Sequence, residues 1–153
     1  MTDDSKAVLD EVDRRLLEVL QLDGRATLVD LGRRVGLSPA AVADRMRRLQ
    51  LAGVITGYTA QVDAGRVGLG LTAFIRVASS GQAPAGLLEE LAGRPEVLEA
   101  HHVVGDDCWI FKVAVPDTNR LESLLQSLAR LGRTTTSIVL STRVRSRPLL
   151  PPE

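Results

Sequence analysis

Residues 27–49, TLVDLGRRVGLSPAAVADRMRRL, constrain the fold more than any other part of the chain. Thr27 and Ser38 have short polar side chains of the kind that cap helix N-termini. Gly36 suits the left-handed conformation that ends a helix, and Pro39 suits the first position of the next one. The stretch therefore predicts two short helices joined by a tight turn. This is the pattern of a helix-turn-helix, whose second helix enters the DNA major groove.

The second predicted helix has one apolar stripe. At about 100° per residue, Val42, Met46 and Leu49 fall together and are expected to face the core. Small residues at its N-terminal end allow close approach to base edges, and the arginines that follow suit guanine or phosphate. An ordinary amphipathic helix with a solvated basic face is the alternative. The predicted DNA-binding residues are Thr27, Ser38, Pro39, Ala40, Ala41, Asp44, Arg45, Arg47 and Arg48.

Within that set, Arg45 and Arg48 are expected to carry much of the affinity for DNA, and Arg45 flanks the core stripe.

The distribution of charge supports DNA binding only around the predicted helix-turn-helix. The whole chain has 19 basic and 19 acidic residues, which is unlike a strongly basic non-specific nucleic-acid binder. Residues 25–48 nevertheless hold six basic and two acidic residues, a net charge of +4, whereas residues 1–24 hold three and seven, a net charge of −4.

Other features of the sequence narrow the class of protein. The single cysteine, Cys108, excludes an intramolecular disulfide and a cysteine-based metal cluster. No apolar run reaches membrane-spanning length, and the acidic start MTDDSK does not resemble a signal peptide, so we expect a cytoplasmic protein. His101 and His102 are neighbours on a predicted strand and should point to opposite faces. Neither a metal site nor a cofactor is therefore expected.

The chain is predicted to have two domains. We expect a disordered tail over residues 1–8, a winged helix-turn-helix domain over 9–60, a linker over 61–68 and a second domain over 69–148. The first domain adds a helix over 9–22 to the two above. Its wing is predicted as a short hairpin within 52–63 that turns at Thr56-Gly57.

The second domain has the predicted order βαββαβ, which indicates a ferredoxin-like sandwich and an α+β fold class overall. Its two helices can cover only one face of the sheet, yet the strands alternate apolar residues on both faces. We expect a second subunit to cover the second face. We therefore predict a homodimer formed through the sheet, with Phe74 and Trp109 as candidate contact residues.

The sequence resembles the Lrp/AsnC family of transcription regulators, the feast/famine proteins. The resemblance covers residues 9–63 and is most specific at LSPAAVADRMRRL and GVITGY; the stretch VVGDDCWIFKV, residues 103–113, is similar to the family's C-terminal module. The resemblance implies a winged helix-turn-helix followed by a ligand-sensing α/β domain. It also implies double-stranded DNA as a partner, dimers that assemble further to tetramers or octamers, and small effectors, usually amino acids, bound between dimers.

The effector site implied by the resemblance lies at the turn after the second strand. Glycine at this turn permits close approach of the backbone, and two carboxylates beside it can accept hydrogen bonds from an ammonium group. A tight acidic hairpin turn is the structural alternative. The chain departs from the family at Cys108, where many members have an aspartate, and Asp106 or Asp107 would have to substitute. The predicted effector-binding residues are Val104, Gly105, Asp106, Asp107, Cys108, Trp109, Thr134, Thr135 and Thr136.

Two other functions compete with an effector-responsive regulator. One is an enzyme similar to the sirohaem decarboxylases, which share the two-part plan; the arginine-bearing second helix argues against it. The other is an interaction module that has lost DNA binding. The principal prediction is therefore a sequence-specific DNA-binding regulator without catalytic residues.

Overall fold

The computed structural model describes residues 7–78, 86–105, 108–144 and 147–149. The chain divides into two compact units, Met1–Gln61 with Val144–Glu153, and Val62–Arg143. The sequence boundaries differ at the C-terminal end, since Val144 and the residues after it group with the first unit. Residues 1–6 of the predicted disordered tail lie outside the described residues.

The first unit contains three helices: α1 (Glu11–Leu22), α2 (Leu28–Val35) and α3 (Pro39–Leu51). Thr27 and Ser38 cap α2 and α3 by accepting hydrogen bonds from the backbone N–H groups of Asp30 and Ala41. Gly36 ends α2 with φ of 71°, in the left-handed region that favours glycine. The caps and the tight turn predicted for the helix-turn-helix are therefore confirmed.

The core of this unit is a small apolar cluster shared by the three helices. Its buried members are Leu16, Val19, Leu20, Leu31 and Val42. Val42 and Leu49 are buried and Met46 packs against the cluster, so the predicted inner face of α3 is correct. Burial of this face fixes which side chains of α3 point outward.

The predicted wing hairpin is wrong. Among the described residues, the segment 52–63 contains no strand. The N–H groups of Val54 and Ile55 instead donate to the Leu49 carbonyl at 2.9 and 3.1 Å, which closes the end of α3. Ile55 also packs against the core. The short remainder after Thr56-Gly57 then has too few residues for a two-stranded ribbon, which is marginal in isolation.

The second unit begins with a single 3-10 turn, Gly65–Val67, and continues as β1 (Leu71–Ala78), α4 (Leu87–Ala92), β2 (Val97–His102), β3 (Trp109–Val115), α5 (Thr118–Leu128) and β4 (Arg133–Ile138). The strands form one antiparallel sheet in the order β2-β3-β1-β4. This arrangement confirms the α+β, ferredoxin-like prediction.

The two faces of the sheet differ. One face packs against α4 and α5; on the other, which we call the open face, Ala114 is buried but Arg76 is exposed. The buried cluster on the helix side comprises Ala73, Ile75, Val77, Leu87, Leu91, Phe111, Val113, Val115, Leu121, Leu124, Leu128 and Leu131. Phe74 lies on the open face and is 41% exposed.

The strand register places Trp109 opposite Val77 and therefore on the helix side. Trp109 packs against the buried cluster and contacts the Phe111 ring, with ring centroids 6.5 Å apart. Phe74 and Trp109 consequently cannot contribute to the same sheet-face contact. Trp109 pairs with Val77, which is three residues from Phe74 along β1, and side chains an odd number of residues apart on a strand point to opposite faces. Of the two, only Phe74 therefore lies on the face expected for a subunit contact.

One buried charge ties the second unit together. Glu96, before β2, is 6% exposed and forms ion pairs with Arg94 at 3.5 Å and with Arg120 on α5. Burial acts to raise the pKa of Glu96, but its backbone hydrogen bond and the two guanidinium groups outweigh burial and hold that pKa below the ordinary value.

No helix in the described part of the chain is long and apolar enough to cross a membrane.

Candidate nucleic-acid interface and ligand-binding region

The N-terminal turn of α3 is open to solvent. Ser38, Pro39 and Ala40 are exposed, whereas Ala41 is half-buried. Because Ser38 caps the helix, its backbone is held in place, and the positive end of the helix dipole points outward there. A helix end of this kind can lie against a phosphate or the edges of bases.

The outward arginines of α3 differ in their partners. Arg47 pairs with Asp44 at 2.6 Å, and both side chains are exposed. Arg48 is 61% exposed and lies 4.0 Å from the Asp44 carboxylate, a weak contact. The hydrogen bond from Arg47 lowers the pKa of Asp44. Such exposed pairs are weak and exchange readily with a stronger anion such as phosphate.

Arg45 is held by α1. Its Nη1 donates to Asp10 at 2.6 Å and to Asp13 at 2.8 Å, and its side chain is only 22% exposed. Asp10 and Asp13 are also the two partners of the capping box that begins α1. The side-chain hydrogen bonds to these carboxylates raise the pKa of Arg45, and the Asp13 backbone N–H with Arg45 lowers the pKa of Asp10.

Thr27 is exposed, but its hydroxyl group is already engaged. It accepts from the backbone N–H of Asp30 at 3.2 Å and donates to the Asp30 carboxylate at 2.6 Å. This hydrogen bond lowers the pKa of Asp30. Thr27 therefore orders the start of α2, next to the exposed Arg33.

Gly32 is a structural residue of the helix-turn-helix that the sequence analysis missed. It is buried in α2, and a Cβ atom there would lie 2.5 Å from the Leu37 carbonyl oxygen. Its own carbonyl accepts from the Leu37 N–H at 3.0 Å. Only glycine lets α2 approach the turn this closely. A glycine four residues before the predicted C-cap was the available signal.

Two of the predicted ligand-binding residues, Trp109 and Thr134, lie in one row across the sheet. His102 and Val77, which were not predicted, lie in the same row on the helix side. The rings of His102 and Trp109 have centroids 4.7 Å apart. Strand spacing puts Trp109 about 10 Å from Thr134, since they are two strands apart. The edge of the helix-covered face therefore carries an aromatic pair and a hydroxyl group.

The strand register separates the three threonines. Thr136 faces the same side as Thr134 and lies opposite Ile75, whereas Thr135 lies opposite Arg76 on the open face. Thr135 cannot line the same pocket as the other two, because successive side chains of a strand point to opposite faces.

The turn before β3 is closed by backbone hydrogen bonds. The Val103 N–H donates to the Cys108 carbonyl at 2.9 Å, and the Cys108 N–H donates to Val77 at 2.9 Å. Gly105 has φ of 144° and Val104 is fully exposed. Cys108 is half-buried. The two predicted carboxylates, Asp106 and Asp107, lie outside the described residues.

The two histidines point to opposite faces, as predicted. His101 contacts Glu99 at 3.1 Å, and Glu99 also accepts from Lys112 at 2.6 Å; these bonds, led by that from Lys112, lower the pKa of Glu99. Over the residues that the structure describes, no group of three His, Cys, Asp or Glu side chains is placed to hold a metal ion.

Two family models match the chain. Residues 9–50 match the AsnC-type helix-turn-helix domain, and residues 72–149 match the Lrp/AsnC ligand binding domain. The chain belongs to the Lrp/AsnC family.

Relatives within the Lrp/AsnC family are similar over most of their length. The HTH-type transcriptional regulator LrpA of Mycobacterium tuberculosis is 37% identical over 150 residues, which cover 94% of this chain and 97% of LrpA. The leucine-responsive regulatory protein of Escherichia coli K12 is 38% identical over 128 residues, 80% of this chain and 77% of that protein.

Solved Lrp/AsnC structures share the fold. The feast or famine regulatory protein of M. tuberculosis, complexed with L-methionine, superposes with a TM-score of 0.86 at 36% identity, covering 94% of this chain and all of the other. A transcriptional regulator of Neisseria meningitidis in complex with L-Met gives 0.86 at 31% identity, covering 93% of this chain and 96% of that one. The family and the two domains identify this chain as an effector-responsive, DNA-binding transcriptional regulator.

Proposed function

We propose that the chain binds a pseudo-palindromic DNA site as a homodimer, through the exposed face of α3, and responds to an amino acid or a related small molecule. One observation carries the DNA assignment. The apolar stripe of α3 is buried, while its capped N-terminal turn and two of its arginines remain exposed. This arrangement leaves the surface that a recognition helix uses for base edges and phosphates available to DNA.

The residues have different roles in this proposal. Ser38, Pro39, Ala40 and Ala41 approach the bases or a phosphate, since small side chains at the helix start permit close contact. Arg48 and Arg47 contact phosphate or guanine after leaving their weak pairs with Asp44. Thr27 orders the start of α2. Arg45 acts as a positioning residue that holds α3 against α1, because two carboxylates already occupy its guanidinium group.

The test selects a binding site from random duplexes and then measures affinity against salt concentration. We expect Arg48→Ala to weaken binding and to reduce the slope of log K against log salt by about 1, if the contact is to phosphate. If Arg48 contacts guanine, the loss is about 1–3 kcal/mol at one base pair only. Exposed Arg15 on α1 supplies the matched control, Arg15→Ala. Equal binding by wild type and Arg48→Ala would refute the role of Arg48.

A dimer presents two copies of α3, so the selected site should have two-fold symmetry. Further assembly to a tetramer or octamer belongs to the same proposal. The named regulators among the relatives and the exposed α3 favour a non-enzymatic function in the cytoplasm, where DNA is accessible. A selection that yields no sequence above background would favour an interaction module instead.

The effector site is proposed at the turn before β3 and the adjacent edge of the helix-covered face. Relatives complexed with L-methionine support an amino acid as the ligand class. Trp109, Thr134 and Thr136 share this face, whereas Thr135 does not. Asp106 or Asp107 would receive the ammonium group, because the Cys108 thiol cannot replace a carboxylate there.

Calorimetry with the amino acids, beginning with L-methionine, tests the effector site. Thr134→Val keeps the side-chain shape and removes the hydroxyl group, and we expect it to weaken binding about fivefold or more. Thr135→Val is the matched control on the other face and should bind normally. Equal affinities for the two variants would place the pocket elsewhere.

A further inference from the structure

A groove on the helix-turn-helix unit shares no residue with the proposed DNA-binding surface or the proposed effector site. Its volume is about 400 Å³, at the lower end of the range for small-molecule pockets. It is lined by Leu17 and Leu20 of α1, by the segment from Val54 to Tyr58, and by Leu149. The groove is therefore large enough for a small molecule.

Hydrogen bonds from Gln21 fix one side of the groove. Gln21 Nε2 donates to the carbonyl groups of Leu17 and Leu149, each at 3.1 Å, and Gln21 Oε1 accepts from the Leu149 N–H at 2.8 Å. Both N–H groups of this amide are thus used within the protein. Gln21 shapes the groove and has no donor left for a ligand.

The segment on the other side is held by α3 and the core. The N–H groups of Val54 and Ile55 donate to the Leu49 carbonyl at 2.9 and 3.1 Å, and Ile55 packs against the buried cluster of the three helices. The segment therefore has a defined position before any ligand binds, as is usual for small-molecule sites.

The polarity of the lining defines the class of ligand. Among the described lining residues, none carries a charge at neutral pH, and most are aliphatic. An ion would lose hydration here without gaining a charged partner. The hydroxyl groups of Thr56 and Tyr58 are the polar exceptions; both residues are exposed, and neither hydroxyl has a hydrogen-bond partner among the described residues.

We propose that this groove binds an uncharged small molecule that is mostly hydrocarbon and carries one carbonyl, hydroxyl or amide group. The aliphatic lining contacts the hydrocarbon part, and the hydroxyl groups of Thr56 and Tyr58 hold the polar group. Amino acids, which are zwitterions, do not belong to this class. The inference rests on neither DNA binding nor the proposed effector site.

Fluorine NMR of the full chain tests the proposal. Tyr58 is the single tyrosine of the sequence and Trp109 the single tryptophan, so ring-fluorinated tyrosine and tryptophan give one signal each. The Tyr58 signal reports on the groove, and the Trp109 signal reports on the region of the proposed effector site. The two ligands are neutral cyclohexanecarboxamide and cyclohexanecarboxylate, which has the same ring and a negative charge.

We expect the carboxamide to shift the Tyr58 signal saturably and to leave the Trp109 signal unchanged. The carboxylate should bind at least about tenfold more weakly, because its charge has no partner in the groove. Thr56→Val removes a hydroxyl group with little change of shape and should weaken carboxamide binding about fivefold. Thr59→Val, the same change at an exposed residue outside the groove, is the control and should bind normally.

The proposal is overturned if the carboxamide leaves the Tyr58 signal unchanged or shifts it without saturation. Equal affinities for carboxamide and carboxylate would refute the uncharged class of ligand, and equal binding by wild type and Thr56→Val would refute the role of the hydroxyl group. A Tyr58 signal that moves with protein concentration, and not with carboxamide, would show that a second copy fills the groove and would also refute the proposal.

Discussion

The arginines of α3 show how partners decide the role of a side chain. Arg47 and Arg48 lie beside a single exposed carboxylate, whereas Arg45 is held between two carboxylates of α1. An exposed pair contributes little to stability because water screens it, while a partly buried, charge-assisted pair contributes more. We propose that the same residue type supports DNA binding at Arg47 and helix placement at Arg45, two residues away.

Arg45→Ala should destabilise the first unit. We expect a loss of about 1–2 kcal/mol in the free energy of unfolding, since two charged hydrogen bonds disappear at a partly solvated site. Arg47→Ala removes an exposed pair and should change stability by less than about 0.5 kcal/mol. Urea denaturation measures both. If Arg45→Ala and Arg47→Ala lowered the free energy of unfolding equally, a positioning role for Arg45 would be contradicted.

The salt dependence of DNA binding separates positioning from contact. If Arg45 acts only by holding α3, Arg45→Ala weakens affinity without changing the salt slope, because no phosphate contact is lost. A slope that falls by about 1 would instead identify Arg45 as a phosphate ligand, which would agree with the DNA contact that the sequence predicted for it.

At the scale of elements, the approach of α2 to the turn depends on a missing side chain. Gly32→Ala would put a Cβ 2.5 Å from a backbone oxygen, which cannot move without shifting the turn before α3. The overpacking costs about 1–3 kcal/mol and exceeds the roughly 1 kcal/mol that alanine adds in helix propensity. Thermal unfolding should therefore occur at a lower temperature. Gly57→Ala has open space around its Cβ and is the control that should be tolerated.

The ion cluster at Glu96 links the start of β2 to α5 and should make the second unit acid-sensitive. The folded pKa of Glu96 lies below its ordinary value of 4.5, so its stabilisation is complete above that pH and is lost as pH falls through the folded pKa. Glu96→Gln should lower stability at neutral pH by about 1–3 kcal/mol and reduce the further loss in acid. The free energy of unfolding, measured from pH 7 to pH 3, tests this prediction. If Glu96→Gln and wild type lose the same stability as the pH falls, the prediction is contradicted.

At the scale of the whole molecule, the open face of the sheet governs the proposed dimer. Phe74 is its exposed aromatic residue, and charged and hydroxyl side chains surround it. Phe74→Asp should shift the protein to monomer, because a carboxylate would be buried without a partner in a symmetric contact. Sedimentation at several concentrations measures the shift. Leu51→Asp alters an equally apolar exposed residue in the other unit and should leave the assembly unchanged.

Local rules were sufficient for the sequence to determine the helix-turn-helix. Thr27, Gly36 and Ser38 act through hydrogen bonds and backbone angles within a few residues of themselves, so their effects can be predicted from residue type and spacing. The order of strands and helices in the second unit is likewise predictable, because the spacing of apolar residues along the chain distinguishes strands from helices. The buried stripe of α3 also follows, because helix geometry alone places Val42 and Leu49 together.

Tertiary structure decided what depends on residues distant in sequence. Nothing near Arg45 in the chain indicates that Asp10 and Asp13 would hold it, 35 and 32 residues away. Strand register separated Phe74 from Trp109 and Thr135 from its neighbours, since a side chain's face is fixed by pairing across the sheet. The prediction of a wing hairpin was wrong because the N–H groups of Val54 and Ile55 donate to the end of α3 and not to a second strand. Local patterns set which elements form; contacts between distant residues set which side chains remain available for binding.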